Sequence, residues 1–191
     1  AEPHSMMGQP RNADCLPWTT KLPLIFEQQW SYSLLENLHL LFNDTANFEK
    51  VRYHYWRTLS DLFSVAYTRT TRDWCEKYNL KLTGHLMGED SFISQLQYSI
   101  NVMPHYQYMH IPGIDHLTMN LRWPSGDPFI LTPKQASSVA NQLGIKEVLS
   151  EMYGTCDGGL SFEDRKRMFQ WFGIMGINYR CFHGAFTSMR G

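Results

Sequence analysis

The chain has 191 residues, a formal net charge of −1, 43% hydrophobic residues and 14% aromatic residues. This length and composition are typical of one globular domain with a sizeable core. The near-zero charge argues against a nucleic-acid partner, and no apolar run approaches the roughly 20 residues of a membrane span, so no membrane is expected either.

The first half of the chain predicts mostly helices. After an irregular connection over residues 16–21, a helical pattern opens at Pro23 and extends over 23–42. The Asn-Asp-Thr triplet at 43–45 breaks it and offers N-caps for the next helix. Apolar residues then recur at three- and four-residue steps, which predicts a helix over about 48–77 with a break near Thr70.

The second half alternates strand-like and helical patterns. Residues 80–86 predict a strand, and a short helix follows from Ser91. Residues 105–111 are aromatic and predict extended backbone, which leads into a strand at 114–117. Two further strands are predicted at 146–151 and 177–183.

Two helix starts carry capping signals. Thr132 predicts an N-cap, with Pro133 at the first helical position and Gln135 completing a capping box. Gly144 is expected to end that helix. Ser161 begins another helix with the same capping-box character.

Together with a strand stub at residues 1–4, these elements define an α/β fold. Strands separated by helices form βαβ units and a parallel sheet. With right-handed crossovers, the result is either a doubly wound sheet or part of a barrel. No glycine pattern of a nucleotide-binding loop follows any strand.

Every predicted strand ends on polar, titratable residues. In an α/β barrel the functional residues lie at the carboxyl ends of the strands. Five such strand ends in succession predict a ring of site residues around one pocket. These residues are Glu2, His4, His85, Glu89, Asp115, His116, Glu151, Tyr153, Asn178 and His183.

Three glutamates are the candidate catalytic residues. Glu151 ends an apolar strand, where a carboxylate is costly to bury unless it has a role or an ion-pair partner. Glu2 precedes Pro3, which favours the extended backbone of a strand end. Glu89 is either catalytic or an acid at a helix N-terminus. Two carboxylates across a pocket, one protonated and one ionised, are what glycoside hydrolysis requires.

The histidines and aromatic residues predict binding rather than metal ligation. His85 and His116 are more typical of orienting hydrogen-bond partners, and no H-x-x-x-H spacing indicates a metal triad. Aromatic side chains either stack on sugar rings or pack in the core, and four are candidates: Trp18, Trp123, Tyr153 and Phe182. The four cysteines have no C-x-x-C spacing, which predicts free, mostly buried thiols in a reducing compartment.

Several of these segments resemble a known family. The stretch from Leu80 to Glu89 resembles the L-T-G-H-x-x-G-E strand of large bacterial glycoside hydrolases in and around the α-L-rhamnosidase family 106. The opening Glu2-Pro3 is similar to the T-D-E-P strand end of those proteins. Further similar segments follow in the family's order: 16–18, 32–35, 110–116, 134–140, 148–154 and 176–179.

The resemblance implies a partial (β/α)8 TIM barrel, approximately strands four to eight with their helices, in a single domain over 1–191. Barrel position implies Glu2 as acid and Glu151 as nucleophile or base, with Glu89 kept as an alternative because the rhamnosidases invert. The implied substrates are oligosaccharides or polysaccharides with α-L-rhamnoside or β-galactoside-like linkages. The resemblance admits a calcium ion, which no motif indicates, and no other cofactor. The implied sugar-contacting residues are His4, His85, Asp115, His116, Tyr153, Asn178, His183 and Trp18.

The chain departs from the family pattern in two ways. Ala1, Ser31 and Ser33 stand where the pattern has Asp, Gly and Asp, which weakens the substrate inference more than the fold. A full barrel takes about 250 residues, so we interpret both ends as cuts and expect the remainder of the barrel in a longer protein. Inactivity or self-association of the isolated chain is an expected outcome. The alternatives are a non-catalytic sugar-binding or inactive fragment, and a metal-dependent barrel hydrolase, in the cytoplasm or the periplasm.

Overall fold

The computed structural model describes residues 15–122, 129–154, 156 and 160–183. They form two compact units, one within residues 1–63 and one within residues 64–191, where the sequence predicted a single domain. The predicted strand stub at 1–4 lies outside the described residues, and Glu2 and His4 lie there with it.

The first unit is helical. Helix α1 spans Leu22–Trp30, a 3-10 helix spans Leu38–Leu41, and α2 spans Phe48–Phe63. The prediction of one continuous helix over 23–42 is wrong, because the chain leaves α1 at Ser31 with a left-handed φ of 61°. A left-handed residue cannot continue a right-handed helix.

Aromatic side chains stabilise this first unit. Phe26 and Tyr55 are fully buried, and the Tyr55 hydroxyl donates a hydrogen bond to the carbonyl of Pro17. The Trp30 ring stacks on the His54 ring with 3.6 Å between centroids. Much of the aromatic share of this unit therefore serves packing.

The second unit contains the sheet. A π-helix at Ser64–Arg69 gives way to an α-helix at Thr70, where the sequence predicted a break. The helices that follow are α3 Thr70–Lys77, α4 Phe92–Tyr98, α5 Met103–Tyr106, α6 Leu131–Leu143 and α7 Phe162–Ile174. The strands are β1 Thr83–Gly84, β2 Ile111–His116, β3 Leu149–Met152 and β4 Tyr179–Phe182.

The four strands are parallel and lie in chain order, β1-β2-β3-β4. A doubly wound sheet reverses its strand order at a switch point, whereas a barrel keeps adding each strand beside the last. The described sheet follows the second pattern. The architecture is therefore mixed α/β, consistent with part of an α/β barrel.

Strand side chains alternate between two faces of the sheet. Ile114 and Met152 are fully buried on one face and pack in a common core with Met168 and Phe172 of α7. The side chains of Asp115 and Glu151, one residue out of step, retain 23% and 27% of their exposure. One face thus carries the core, and the other carries polar groups.

The capping predictions had mixed outcomes. The Ser161 hydroxyl accepts a hydrogen bond from the Asp164 N–H at 3.0 Å, which confirms that N-cap. The Thr132 prediction is wrong, because α6 begins at Leu131, two residues before the predicted first helical residue Pro133, and the Thr132 hydroxyl donates to the carbonyl of Glu89 at 3.3 Å. Gly144 ends α6 with a φ of 70°, as predicted.

Two other predictions need correction. Residues 105–111 are not extended throughout, because α5 covers Met103–Tyr106. The four cysteines are thiols outside any disulfide, as predicted, but only Cys75 is buried. None of the described helices combines the length and apolar composition that crossing a bilayer requires.

Candidate functional site

Two carboxylates lie side by side at the carboxyl ends of β2 and β3. Asp115 pairs in register with Glu151 across these parallel strands. Paired residues of neighbouring strands point to the same face of a sheet. The register therefore places both side chains on the face opposite the apolar core.

Two histidines complete this group. His85 follows β1, and its Nε2 lies 3.0 Å from Oε2 of Glu151 while its Nδ1 lies 3.9 Å from Oδ2 of Asp115. His183 follows β4, and its Nε2 lies 3.9 Å from Oε1 of Glu151. We call these four residues the strand-end cluster. They come from all four described strands and were all predicted as site residues.

The cluster changes the protonation of Asp115. Partial burial raises the pKa of Asp115 above its usual range, and the negative charge of Glu151 raises it further. The positive charges that His85 and His183 can carry act in the opposite direction. The net effect favours the protonated carboxyl, so Asp115 holds a proton more readily than an ordinary aspartate.

Glu89 is buried beside Asp115. Its residue exposure is 4%, and it accepts hydrogen bonds from the Tyr106 hydroxyl at 2.5 Å and from the Asp115 N–H at 2.6 Å. Burial raises the pKa of Glu89 to about 8, although both hydrogen bonds lower it. The structure gives Glu89 a supporting contact with the backbone of Asp115, and Glu89 is not part of the group formed by His85, Asp115 and Glu151.

His116 also departs from its predicted place. It lies one residue after Asp115, so strand alternation turns it to the apolar face. The ring packs against Phe129 and Phe172 with centroid distances of 5.0 and 4.6 Å. Burial lowers the pKa of His116 to about 4, so the ring is neutral near pH 7. His116 is therefore a core residue.

Asn178 lies at the opposite end of the sheet from the cluster. It precedes β4, and its side chain accepts a hydrogen bond from the Val148 N–H at 2.9 Å and donates one to the Lys146 carbonyl at 2.6 Å. These contacts tie the beginning of β4 to the beginning of β3. The prediction that Asn178 contacts the sugar is not supported by this position.

The two described aromatic candidates among the predicted site residues are placed differently. Tyr153 is buried, and its hydroxyl donates to the carbonyl of Arg165 at 3.1 Å, toward α7. Trp18 belongs to the first unit, where it is half exposed and lines an apolar cleft of about 170 Å³ with Leu16, Leu38, Leu41 and Phe42. Trp123 lies outside the described residues.

One glycine supports the cluster and was not singled out from the sequence. Gly154 is buried, and a Cβ atom there would lie 2.8 Å from Cγ of His183 and 2.3 Å from Cδ2 of Leu117. Because Gly154 has no side chain, the His183 ring can occupy this position. A glycine three residues after a strand-end glutamate is the signal that could have identified it.

The cluster does not have the donors that calcium prefers. His85, Asp115 and Glu151 form a group whose ligand atoms lie within 4.8 Å of one another. Calcium takes six to eight oxygen ligands. This group offers only two carboxylates, and its third donor is an imidazole nitrogen. The calcium ion implied by the family resemblance therefore does not fit these residues.

Comparison with known proteins supports the fold. Among solved structures, the chain is similar to the structure of a rhamnosidase from Novosphingobium sp. PP1Y, with a TM-score of 0.72 and 22% sequence identity. The match covers 88% of this chain and 16% of that one. No protein-family model and no curated protein sequence matches. The likeness shows a rhamnosidase-like fold over a small part of the neighbour's length.

Proposed function

We propose that this chain is part of a barrel glycoside hydrolase and that the strand-end cluster is its acid–base site. The observation that carries the proposal is the in-register pair Asp115 and Glu151, which lie on one face at the carboxyl ends of neighbouring parallel strands. Barrel enzymes place their catalytic groups at such strand ends. The fold shared with a rhamnosidase supports the same class of reaction.

The two carboxylates have different roles in this proposal. Asp115 donates the proton to the leaving oxygen, because its raised pKa favours the protonated form that an acid requires. Glu151 is the nucleophile or base, and His85 orients it through the 3.0 Å contact at Oε2. His183 and His85 are placed to contact sugar hydroxyls beside the reacting bond.

The separation of the pair bears on the stereochemistry. One oxygen of Asp115 and one of Glu151 lie within 4.8 Å of each other. Retaining enzymes hold their carboxyl groups about 5–5.5 Å apart, whereas inverting enzymes leave about 6.5–9.5 Å for a water molecule. The upper bound for this pair is closer to the retaining range than to the inverting one, so we propose retention for a reaction that it catalyses, in contrast to the inversion that the family resemblance implies.

Glu2 is the competing candidate for the proton donor. Its place at the end of a predicted strand and its resemblance to the T-D-E-P motif support it, although it lies outside the described residues. With Glu2 as the acid, Asp115 would bind the sugar or raise the basicity of its neighbours. The two assignments differ in which variant loses proton donation.

The experiment compares aryl α-L-rhamnosides and aryl β-galactosides that carry good and poor leaving groups. A variant that lacks the acid still cleaves a dinitrophenyl glycoside, whose leaving group needs no proton, but loses activity on the phenyl glycoside. We expect this pattern for Asp115→Asn, a loss on both substrates for Glu151→Gln, and roughly 10²–10⁴-fold effects on the phenyl glycoside. If Glu2→Gln shows the pattern instead, the donor role passes to Glu2.

Sugar binding distinguishes the non-catalytic alternative. Ligand-observed NMR with L-rhamnose and galactose measures binding by the 191-residue chain without any turnover. Binding that Glu151→Gln abolishes, in a chain that hydrolyses neither class of substrate, would favour a non-catalytic fragment. The absence of both binding and hydrolysis would overturn the carbohydrate assignment of the cluster.

A further inference from the structure

We propose that the strand-end cluster binds a divalent transition-metal ion of the zinc class, with His85, Asp115 and Glu151 as its ligands. Over residues 15–122, 129–154, 156 and 160–183, these three form the single group of histidine, cysteine and carboxylate side chains whose ligand atoms all lie within 4.8 Å. The proposal does not depend on the hydrolase activity, because metal binding is measurable without substrate.

The donor set fits zinc by type. Zinc is bound in proteins by imidazole nitrogen at about 2.0–2.1 Å and by carboxylate oxygen at about 2.0–2.2 Å, commonly with three protein ligands and an open fourth position. His85, Asp115 and Glu151 supply one imidazole and two carboxylates. The imidazole nitrogen suits zinc, whereas calcium prefers a set of oxygen ligands only.

The spacing is close to the one that coordination needs. Tetrahedral ligands at those bond lengths lie about 3.4 Å from one another. The His85 Nε2 to Glu151 Oε2 distance is 3.0 Å, and the widest separation within the group is below 4.8 Å. All three side chains retain between 23% and 35% of their exposure, so small rotations can close the group around an ion.

One further feature supports a bound cation. The Oδ1 atom of Asp115 is buried and has no hydrogen-bond partner among the described residues. Buried polar atoms without partners are uncommon and call for an explanation. A bound cation would satisfy this atom.

A fourth ligand is within reach. Nε2 of His183 lies 3.9 Å from Oε1 of Glu151, and the missing side chain at Gly154 leaves space for its ring. A modest movement would bring His183 to the ion. Otherwise the fourth position is open to water or to a ligand hydroxyl.

A bound zinc ion and the proposed acid–base chemistry exclude each other. Ligation keeps Asp115 deprotonated, so a zinc-loaded cluster cannot donate the proton that the reaction requires. If both proposals hold, zinc inhibits hydrolysis, and removal of zinc restores it. Binding without hydrolysis would leave the metal site intact and overturn only the catalytic assignment.

The test is a titration of the metal-free 191-residue chain with zinc sulfate, in which isothermal calorimetry measures binding. A second titration uses cobalt(II), and visible absorption detects the bound ion. We expect one ion per chain. His85→Ala, Asp115→Asn and Glu151→Gln should each weaken binding about 10–100-fold or more, because each removes a ligand. Asn and Gln keep the size of the native side chains, and circular dichroism verifies that each variant folds.

The chain offers a matched control. Nε2 of His110 lies 3.1 Å from Oε1 of Glu76, a contact of nearly the same length as that of His85 with Glu151. His110 and Glu76 belong to no described three-group set. Glu76→Gln, at the more exposed member of this pair, should therefore leave zinc affinity unchanged. Full affinity in all three ligand variants, no binding by the native chain, or equal binding of calcium would each overturn the proposal.

Discussion

The Nε2 atom of His85 lies 3.0 Å from the Oε2 atom of Glu151, although His85 follows β1 and Glu151 lies in β3, which is not its neighbour. The strand between them is β2, and it carries Gly113 one residue after Pro112, the register partner of Gly84 in β1. A Cβ atom at Gly113 would lie 2.3 Å from the carbonyl oxygen of Gly84 and 3.4 Å from Leu149. The glycine thus permits the close approach of strands on which the His85–Glu151 contact depends.

Gly113→Ala should destabilise the chain and disturb the cluster. The new methyl group meets backbone rather than a flexible side chain, so β1 must move, at a cost of about 1–3 kcal/mol. The measurement is chemical denaturation followed by circular dichroism. Gly173→Ala is the control, because nothing lies within 4 Å of its Cβ position in α7. That variant should gain about 0.5–1 kcal/mol from helix propensity, and an equal loss in both would contradict the explanation.

The pH dependence of stability should contain a contribution from Glu89. Its pKa is about 8 in the folded chain and about 4.3 in an unfolded one. The folded state therefore holds a proton that the unfolded state releases over this range, and the contribution to stability falls as pH rises from about 4.3 to 8. Glu89→Gln, which stays neutral, should show a smaller decline in unfolding free energy between pH 5 and pH 8.

Glu89→Ala separates that effect from the loss of hydrogen bonds. Alanine leaves the Tyr106 hydroxyl and the Asp115 N–H without their acceptor, which costs about 1–3 kcal/mol at every pH. When unfolding free energy is plotted against pH, the curves of Glu89→Gln and Glu89→Ala should have similar slopes, and the curve of Glu89→Ala should lie lower. An unchanged pH slope in Glu89→Gln would mean that the carboxyl is ionised throughout this range.

His116 should contribute to the loss of stability at acidic pH. Its pKa is about 4 in the folded chain, below the unfolded value of about 6.5, because the ring is buried beside Phe129 and Phe172. The unfolded state gains a proton first as pH falls from about 6.5 to 4, so stability is lost over that window. His116→Leu replaces the imidazole with an apolar side chain that does not titrate. This variant should lose less unfolding free energy than the native chain between pH 6.5 and pH 4. An equal loss of unfolding free energy in the variant and the native chain would contradict the role of His116.

Gly154→Ala should affect the cluster without removing any of its functional groups. The added methyl group contacts the rings and branches of His183 and Leu117, and displacement of His183 is expected. NMR of the His183 ring resonances detects that displacement directly. A variant with native His183 shifts would show that Leu117 alone gives way, since its side chain is the more flexible neighbour.

Local signals in the sequence predicted several elements well. Ser161 caps α7 because its hydroxyl reaches a free N–H three residues on, and Gly144 ends α6 because glycine adopts positive φ without strain. The three-to-four-residue repeat predicted the long helical stretch, whereas the expected break near Thr70 is absent: the chain stays helical, as a π-helix over Ser64–Arg69 and as an α-helix from Thr70. Each of these depends on interactions within a few residues, which a sequence displays.

The sequence by itself determined the alternation of strands and helices, and with it the end of the sheet at which His85, Asp115, Glu151 and His183 gather. Only the tertiary structure decided which polar residues share a face. Asp115 and His116 are neighbours in the chain but point to opposite sides of β2, and Glu89 turns inward to accept the Asp115 N–H. Register between strands and the destination of a buried hydrogen bond are long-range properties, and no local pattern specifies them.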